Sequence, residues 1–322
     1  MRLDDTPESD NVEDRRDDGP AQPGGFGGGF GGGGLGGGGG FNLPIGGGGM
    51  SVVGVLVVVA AALFLGVDPT ALLGGGSTQA PPREYQQPRQ AQPTQTQPTQ
   101  TGPRAGRDDE MRRFVARVLG STEEVWREQL PAQLNQQYVE PRLVLFSGQV
   151  NSACGSASAA SGPFYCPGDQ KVYIDLSFYE MLRTRFHAPG DFAQAYVIGH
   201  EVGHHIQRLL GILGKVAERK RMVGQNEANA LQVRVELQAD CFAGAWAFHA
   251  NRKRAILEPG DVDEALTAAA AIGDDTLQRQ SRGVVHPESF THGSAAQRQR
   301  WFKRGLQSGR LRDCDTFTAR DL

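Results

Sequence analysis

Two stretches of this chain cannot build a core, and they dictate where one can form. Residues 19–49 are mostly glycine, and residues 79–107 are mostly Pro, Gln, Thr and Arg. Neither carries enough apolar side chain to offset the entropy of ordering it. Of 322 residues, one substantial globular region remains, residues 108–322, a usual size for a single domain. The mixed acidic end MRLDDTPESDNVEDRRDD joins the glycine tract as a disordered tail over residues 1–49, and residues 68–107 form a disordered linker.

Between these lies MSVVGVLVVVAAALFLGV, residues 50–67, uncharged and long enough as a helix to span a hydrocarbon core of ~30 Å. Its distance from the N-terminus and the lack of a preceding basic segment argue against a cleaved signal. The expectation is one transmembrane helix with the globular domain behind it. Only Arg83 lies in the flanking window that orients a span, so loop charge does not fix the direction. The four cysteines, Cys154, Cys166, Cys241 and Cys314, all lie in the globular region. They read as disulfides outside a membrane or as buried thiols in a reducing compartment. A Pro- and Gln-rich stalk after an anchor favours the first, with the domain on the extracytoplasmic side of a bacterial membrane, Cys154 paired with Cys166 and Cys241 with Cys314. A net charge of −3 lacks the basic footprint that nucleic-acid binding requires.

Within residues 108–322, DDEMRRFVARVL and STEEVWREQL read as two helices, the second capped by Ser121 with Glu124. RLVLFSGQV and KVYIDL have strand character and give a small sheet of two or three strands. Helical patterns then dominate: SFYEMLRTRF, DFAQAYVIGHEVGHHIQRLLGIL, NEANALQVRVELQADCFAGAWAFHANRK and DVDEALTAAAAIG, the last capped by Asp261 with Glu264. The fold class is α+β, mainly helical with a small β-sheet.

The helix through GHEVGHHIQ carries three of the seven histidines. Residues four apart share a helix face, so His200 and His204 can grip one ion, while Glu201 lies beside it without binding. This is HExxH, a motif whose glutamate serves as general base. Gly199, Val202, Gly203 and Ile206 make the helix suited to burial, where an unpartnered His–Glu–His cluster is costly. Gln207 and Leu210 stand where an extended motif would have Gly and a third His, so the third ligand comes from elsewhere. In RVELQADCFAGAW, Glu236 and Asp240 again share a face, which Ala243 and Ala247 continue. One carboxylate can complete the metal shell while the other fixes a ligand histidine. His205 is rotated away from the metal and reads as structural. His187, His249 and His286 have no partner motif.

HEVGHHIQ, VELQADCFAGAWA, GPFYCPGDQKVYIDL and FTHGSAAQRQRWFKRGL together resemble the bacterial neutral zinc metallopeptidase family, over most of residues 140–310. The pairing of HExxH with ExxxD is also similar to the wider gluzincin group, including the membrane-embedded CaaX prenyl proteases. The resemblance implies a zincin-like domain with one zinc ion per chain, Glu236 as third ligand and Asp240 supporting a ligand histidine. Thr291, His292 and Arg298 resemble a downstream pattern of that group, with Gly293 in place of proline. This implies a catalytic role for His292 at the oxyanion and an ordering role for Arg298; a merely structural histidine is the other reading. The expected activity is a membrane-anchored endopeptidase acting on a peptide or protein substrate, with zinc lowering the pKa of water from 15.7 to about 7 and Glu201 as general base. The alternative is a zinc-containing tethered binding or scaffolding module without proteolytic activity, which would have no need of Glu201.

Overall fold

The computed structural model describes residues 1–18 and 103–322. The apolar run 50–67 and residues 68–102 of the expected linker 68–107 lie outside the described residues, and residues 103–107 are helical rather than linker. No helix among the described residues is long and apolar enough to cross a membrane.

The main sheet has four strands. β1 (Val12–Asp14), β2 (Arg142–Phe146) and β6 (Lys171–Asp175) run parallel, and β5 (Phe164–Cys166) closes the edge antiparallel to β6, in the order β1-β2-β6-β5. Strand β2 is RLVLF, buried from Leu143 to Phe146, the continuous apolar run expected of a parallel strand covered on both faces. A separate hairpin, β3 (Gln149–Ser152) and β4 (Gly155–Ser158), lies between β2 and β5 in the chain. The disulfide Cys154–Cys166 ties that hairpin to β5.

The helices are α1 (Pro103–Leu134), α2 (Ser177–Thr184), α3 (Asp191–Leu209), α4 (Ile212–Lys220), α5 (Gln225–Arg254), α6 (Asp261–Ala271), α7 (Asp274–Arg282) and α8 (Ala295–Ser308). The α+β class and helical majority stand. From Val235 to Ala247 every residue of α5 is buried, as befits a helix surrounded by others. It packs against α3 on one side and α8 on another. The approach to α8 is close: a Cβ on Gly305 would come within 1.9 Å of the Cys241 carbonyl oxygen. The second disulfide, Cys241–Cys314, pins the last 3-10 turn (Leu311–Cys314) to α5.

Three expectations need correction. Residues 1–18 are part of the domain rather than a solvated tail. Leu3 and Thr6 are buried, β1 pairs Val12 with Leu143, and Glu13 accepts hydrogen bonds from Arg142 and Lys171. The acidic character of the segment thus serves pairing with cations of β2 and β6. The Met1 ammonium lies among Asp191, Glu258 and Asp261, 2.7 Å from Asp191 at the first turn of α3. Second, α1 runs unbroken through Ser121, whose hydroxyl accepts from Trp246 Nε1 at 3.1 Å while Glu124 pairs with Arg254. Third, Gly260 precedes α6, and Glu264 instead accepts from the Phe192 backbone N–H at 3.0 Å, capping α3.

Candidate metal centre

Helix α3 starts after Gly190 and ends at Leu209, and Gly211, in a left-handed conformation (φ 72°), precedes α4. Its buried face meets α5 without spacers. A Cβ on Gly203 would lie 2.9 Å from the Ala239 carbonyl oxygen, and one on Gly199 would lie 2.9 Å from the Trp246 ring. This approach brings the two i,i+4 pairs, His200/His204 and Glu236/Asp240, face to face.

Glu236 Oε2 lies 3.2 Å from His200 Nε2 and 3.5 Å from His204 Nε2. The ligand atoms of these three residues lie within 4.8 Å of one another. Two ligands on a tetrahedral zinc ion, at ordinary Zn–N and Zn–O lengths, stand about 3.3 Å apart, so the donor set fits a zinc ion in chemistry and in spread. The other oxygen of Glu236 accepts from Gln232 Nε2 at 2.8 Å, which leaves Oε2 to face the histidines.

The site is built on buried charge. Asp240, fully buried, has Oδ1 2.8 Å from His200 Nδ1 and accepts from Tyr196 Oη at 2.5 Å. Arg298, from α8, donates to Asp240 through Nε and Nη2 and to Tyr196 Oη at 3.1 Å. Asp240 is a carboxylate, so it holds the proton of His200 on Nδ1 and leaves the Nε2 lone pair facing Glu236. Burial pushes the Asp240 carboxyl up, but Arg298 and His200 outweigh it and hold it down at about 2. Without a cation, burial lowers the His200 pKa while Asp240 and Glu236 raise it, to about 9. The cluster thus demands positive charge at its centre, which a divalent ion meets.

Glu201 stands apart. It is 7% exposed, and it feels the charges of His200, His204 and Glu236. Burial raises its pKa, opposed by the two histidines. It is a base with a free lone pair beside the three donors.

His292 lies in the loop before α8, its Nδ1 3.2 Å from Asp274 Oδ1 and 3.1 Å from Thr291 Oγ1. Asp274 Oδ2 accepts the backbone N–H groups of Thr291, His292 and Gly293 at 2.7, 2.6 and 3.0 Å. Burial lowers the His292 pKa, but Asp274 and the through-space charge of Glu236 raise it. The imidazole is close enough to feel the charges of Glu236 and Arg298, and its Nε2 has no hydrogen-bond partner among the described residues.

The structure brings His200, Glu201, His204, Glu236, Asp240 and Arg298 together and puts His292 beside them. His205 points elsewhere: Nε2 donates to the Val139 carbonyl at 2.6 Å and Nδ1 accepts from Tyr165 Oη at 3.0 Å, joining α3 to β5. All four cysteines are paired, in the two disulfides given above. Sequence reasoning missed Tyr196, Gln207, Gln232 and Asp274. Tyr196 and Gln232 each sit four residues before a site residue, a spacing that could have found them.

A family model described as "Putative neutral zinc metallopeptidase" matches residues 1–317. The chain is 45% identical over 319 residues to "Uncharacterized protein YpfJ" of Escherichia coli (strain K12), covering 98% of this chain and 99% of that protein. It is 44% identical over 277 residues to "Uncharacterized protein Mb2605" of Mycobacterium bovis, covering 81% and 86%. No solved structure matches it.

Proposed function

The chain belongs to the neutral zinc metallopeptidase family, and from that premise we propose that it is a zinc-dependent endopeptidase. The observation that carries the reading is the convergence of His200 Nε2, His204 Nε2 and Glu236 Oε2, with Glu201 next to them. A purely structural zinc site has no need of a general base held beside its donors.

His200, His204 and Glu236 would hold one zinc ion, which when bound supplies a Lewis acid and makes water acidic near neutral pH. Glu201 takes the proton of the attacking water on its carboxylate, which its raised pKa favours, and hands it to the leaving nitrogen. Asp240, gripped by Arg298, keeps the His200 proton on Nδ1. His292, held as the imidazolium by Asp274, donates from Nε2 to the oxyanion that develops on the scissile carbonyl. The same reading makes the domain zincin-like, the motif helix α3 lying beside the antiparallel edge strand β5.

Location is the second part of the proposal. The pairing of all four cysteines supports an oxidising compartment, and the apolar run 50–67 supports attachment to a bacterial membrane, without the single crossing first expected, because β1 and β2 pair on one side of it.

The test uses the full chain: zinc content per chain, and cleavage of casein and of a peptide library before and after chelation. One zinc per chain and cleavage that stops with chelator and returns with zinc are expected. Cleavage indifferent to chelator would overturn the reading.

A further inference from the structure

Gln207 stands where the extended HExxH motif has glycine, and it is fully buried. Its amide can be oriented from its partners. Nε2 lies 2.7 Å from the Val235 carbonyl oxygen, which can only accept, so the NH2 group faces Val235 and Oε1 faces His204. Gln207 Nε2 also donates to Gln238 Oε1 at 3.1 Å. Gln238 is fixed in the same way, because its own Nε2 donates to the Cys314 carbonyl at 2.9 Å. Cys314 is held in turn by its disulfide to Cys241 on α5. Two backbone carbonyls therefore determine both amides, and neither can flip without setting oxygen against oxygen.

The consequence falls on His204. Gln207 Oε1 lies 2.9 Å from His204 Nδ1 and is an acceptor, so Nδ1 must carry the proton. The Nε2 lone pair is then free and faces Glu236 Oε2. His200 reaches the same tautomer through a carboxylate, and His204 reaches it through a neutral amide anchored to α5.

We propose that Gln207 is a positioning residue that fixes the tautomer and ring orientation of His204 for zinc, with Val235 and the Gln238–Cys314 link as its support. The proposal rests on His204 being a zinc ligand, and the experiment separates the two. Gln207→Met removes both the oxygen acceptor and the NH2 donor at similar volume. Gln207→Glu also loses the donor to Val235 but keeps an oxygen for His204 Nδ1–H. A residue that only packed α3 against α5 would make both variants fall together. A positioning residue splits them.

Zinc affinity of the full chain is measured by competition with a chromophoric chelator, and thermal stability of the metal-free proteins is measured alongside. Gln207→Met should bind zinc about 10–100-fold more weakly, the usual effect of losing an outer partner of a ligand histidine. Gln207→Glu should stay within a few-fold of the parent, although its metal-free form should be destabilised at least as much as that of Gln207→Met, because a carboxylate oxygen then faces the Val235 carbonyl. Equal zinc affinity for Gln207→Met and the parent, or equal loss in both variants, would overturn the proposal. His204→Ala tests the underlying reading: zinc affinity unchanged there would sink both. Should Gln207→Met not fold, long-range proton–nitrogen NMR of the zinc-loaded parent decides the matter, since His204 must carry its proton on Nδ1. A bare Nδ1 would refute it.

Discussion

Arg298 grips both oxygens of Asp240, each at 2.9 Å, across the contact between α8 and α5. Both side chains are almost completely buried. Replacing one partner of such a pair leaves the other as an uncompensated buried charge, at a cost of about 3–5 kcal/mol. Arg298→Met should therefore lower stability to urea by that order. The pH dependence follows from the lowered Asp240 pKa. A depressed folded pKa gives stability that is complete above the ordinary carboxylate value of 3.8 and is lost as pH falls toward about 2. Without Arg298 the loss begins at higher pH, so the acid-unfolding midpoint of Arg298→Met, followed by circular dichroism with chelator present, should move up. An unmoved midpoint would show that Arg298 does not hold Asp240 down.

Glu201→Gln keeps the volume and polarity of the side chain while removing the base. Zinc content should be unchanged and kcat should fall about 10²–10⁴-fold. Retention of parental cleavage would remove Glu201 from the mechanism.

His292→Gln should leave zinc affinity near the parent, because Nε2 is not among the three converging donors. A fall of about 10²–10³ in kcat with little change in KM is expected for the loss of an oxyanion donor. If KM rises instead and kcat holds, His292 binds substrate rather than the developing charge.

Gly203→Ala adds a methyl 2.9 Å from the Ala239 carbonyl oxygen. Separating α3 from α5 at that point should cost about 1–3 kcal/mol and weaken zinc binding, since each helix carries part of the donor set. A calorimetric Tm equal to that of the parent would contradict the close approach.

Removal of residues 1–18 should destabilise the domain rather than trim a tail. Burying a side chain such as Leu3 contributes about 1.5–3 kcal/mol by itself, and the pairing of β1 with β2 is lost as well. A synthetic peptide of residues 1–18 added back should raise the Tm of the shortened protein. No effect of either step would mean the segment contributes nothing to the fold.

What could be read in advance divides by range. His200, Glu201, His204, Glu236 and Asp240 were legible because helical spacing puts them on two faces, and spacing is local. Which acid faces the histidine proton came only from resemblance, and the geometry now shows Asp240 at His200 Nδ1. Ser121 was misread as a cap because the partner that takes its hydroxyl, Trp246, lies 125 residues away. Strand β1 was invisible for the same reason: VED has no apolar alternation, and its pairing exists only once β2 is beside it. Gln207 looked like a departure from a motif because its role depends on Val235 and Gln238, both on α5.

Strand β1 also constrains how the whole chain can be threaded. Residues 12–14 and residues 143–145 are laced together by backbone hydrogen bonds in one sheet, so the connection that departs after residue 18 must come back to the body it left. Had that connection pierced a lipid layer an odd number of times, β1 would be marooned across the lipid from β2, and the sheet could not close. The first eighteen residues and the helices that carry His200, His204 and Glu236 therefore share one aqueous compartment.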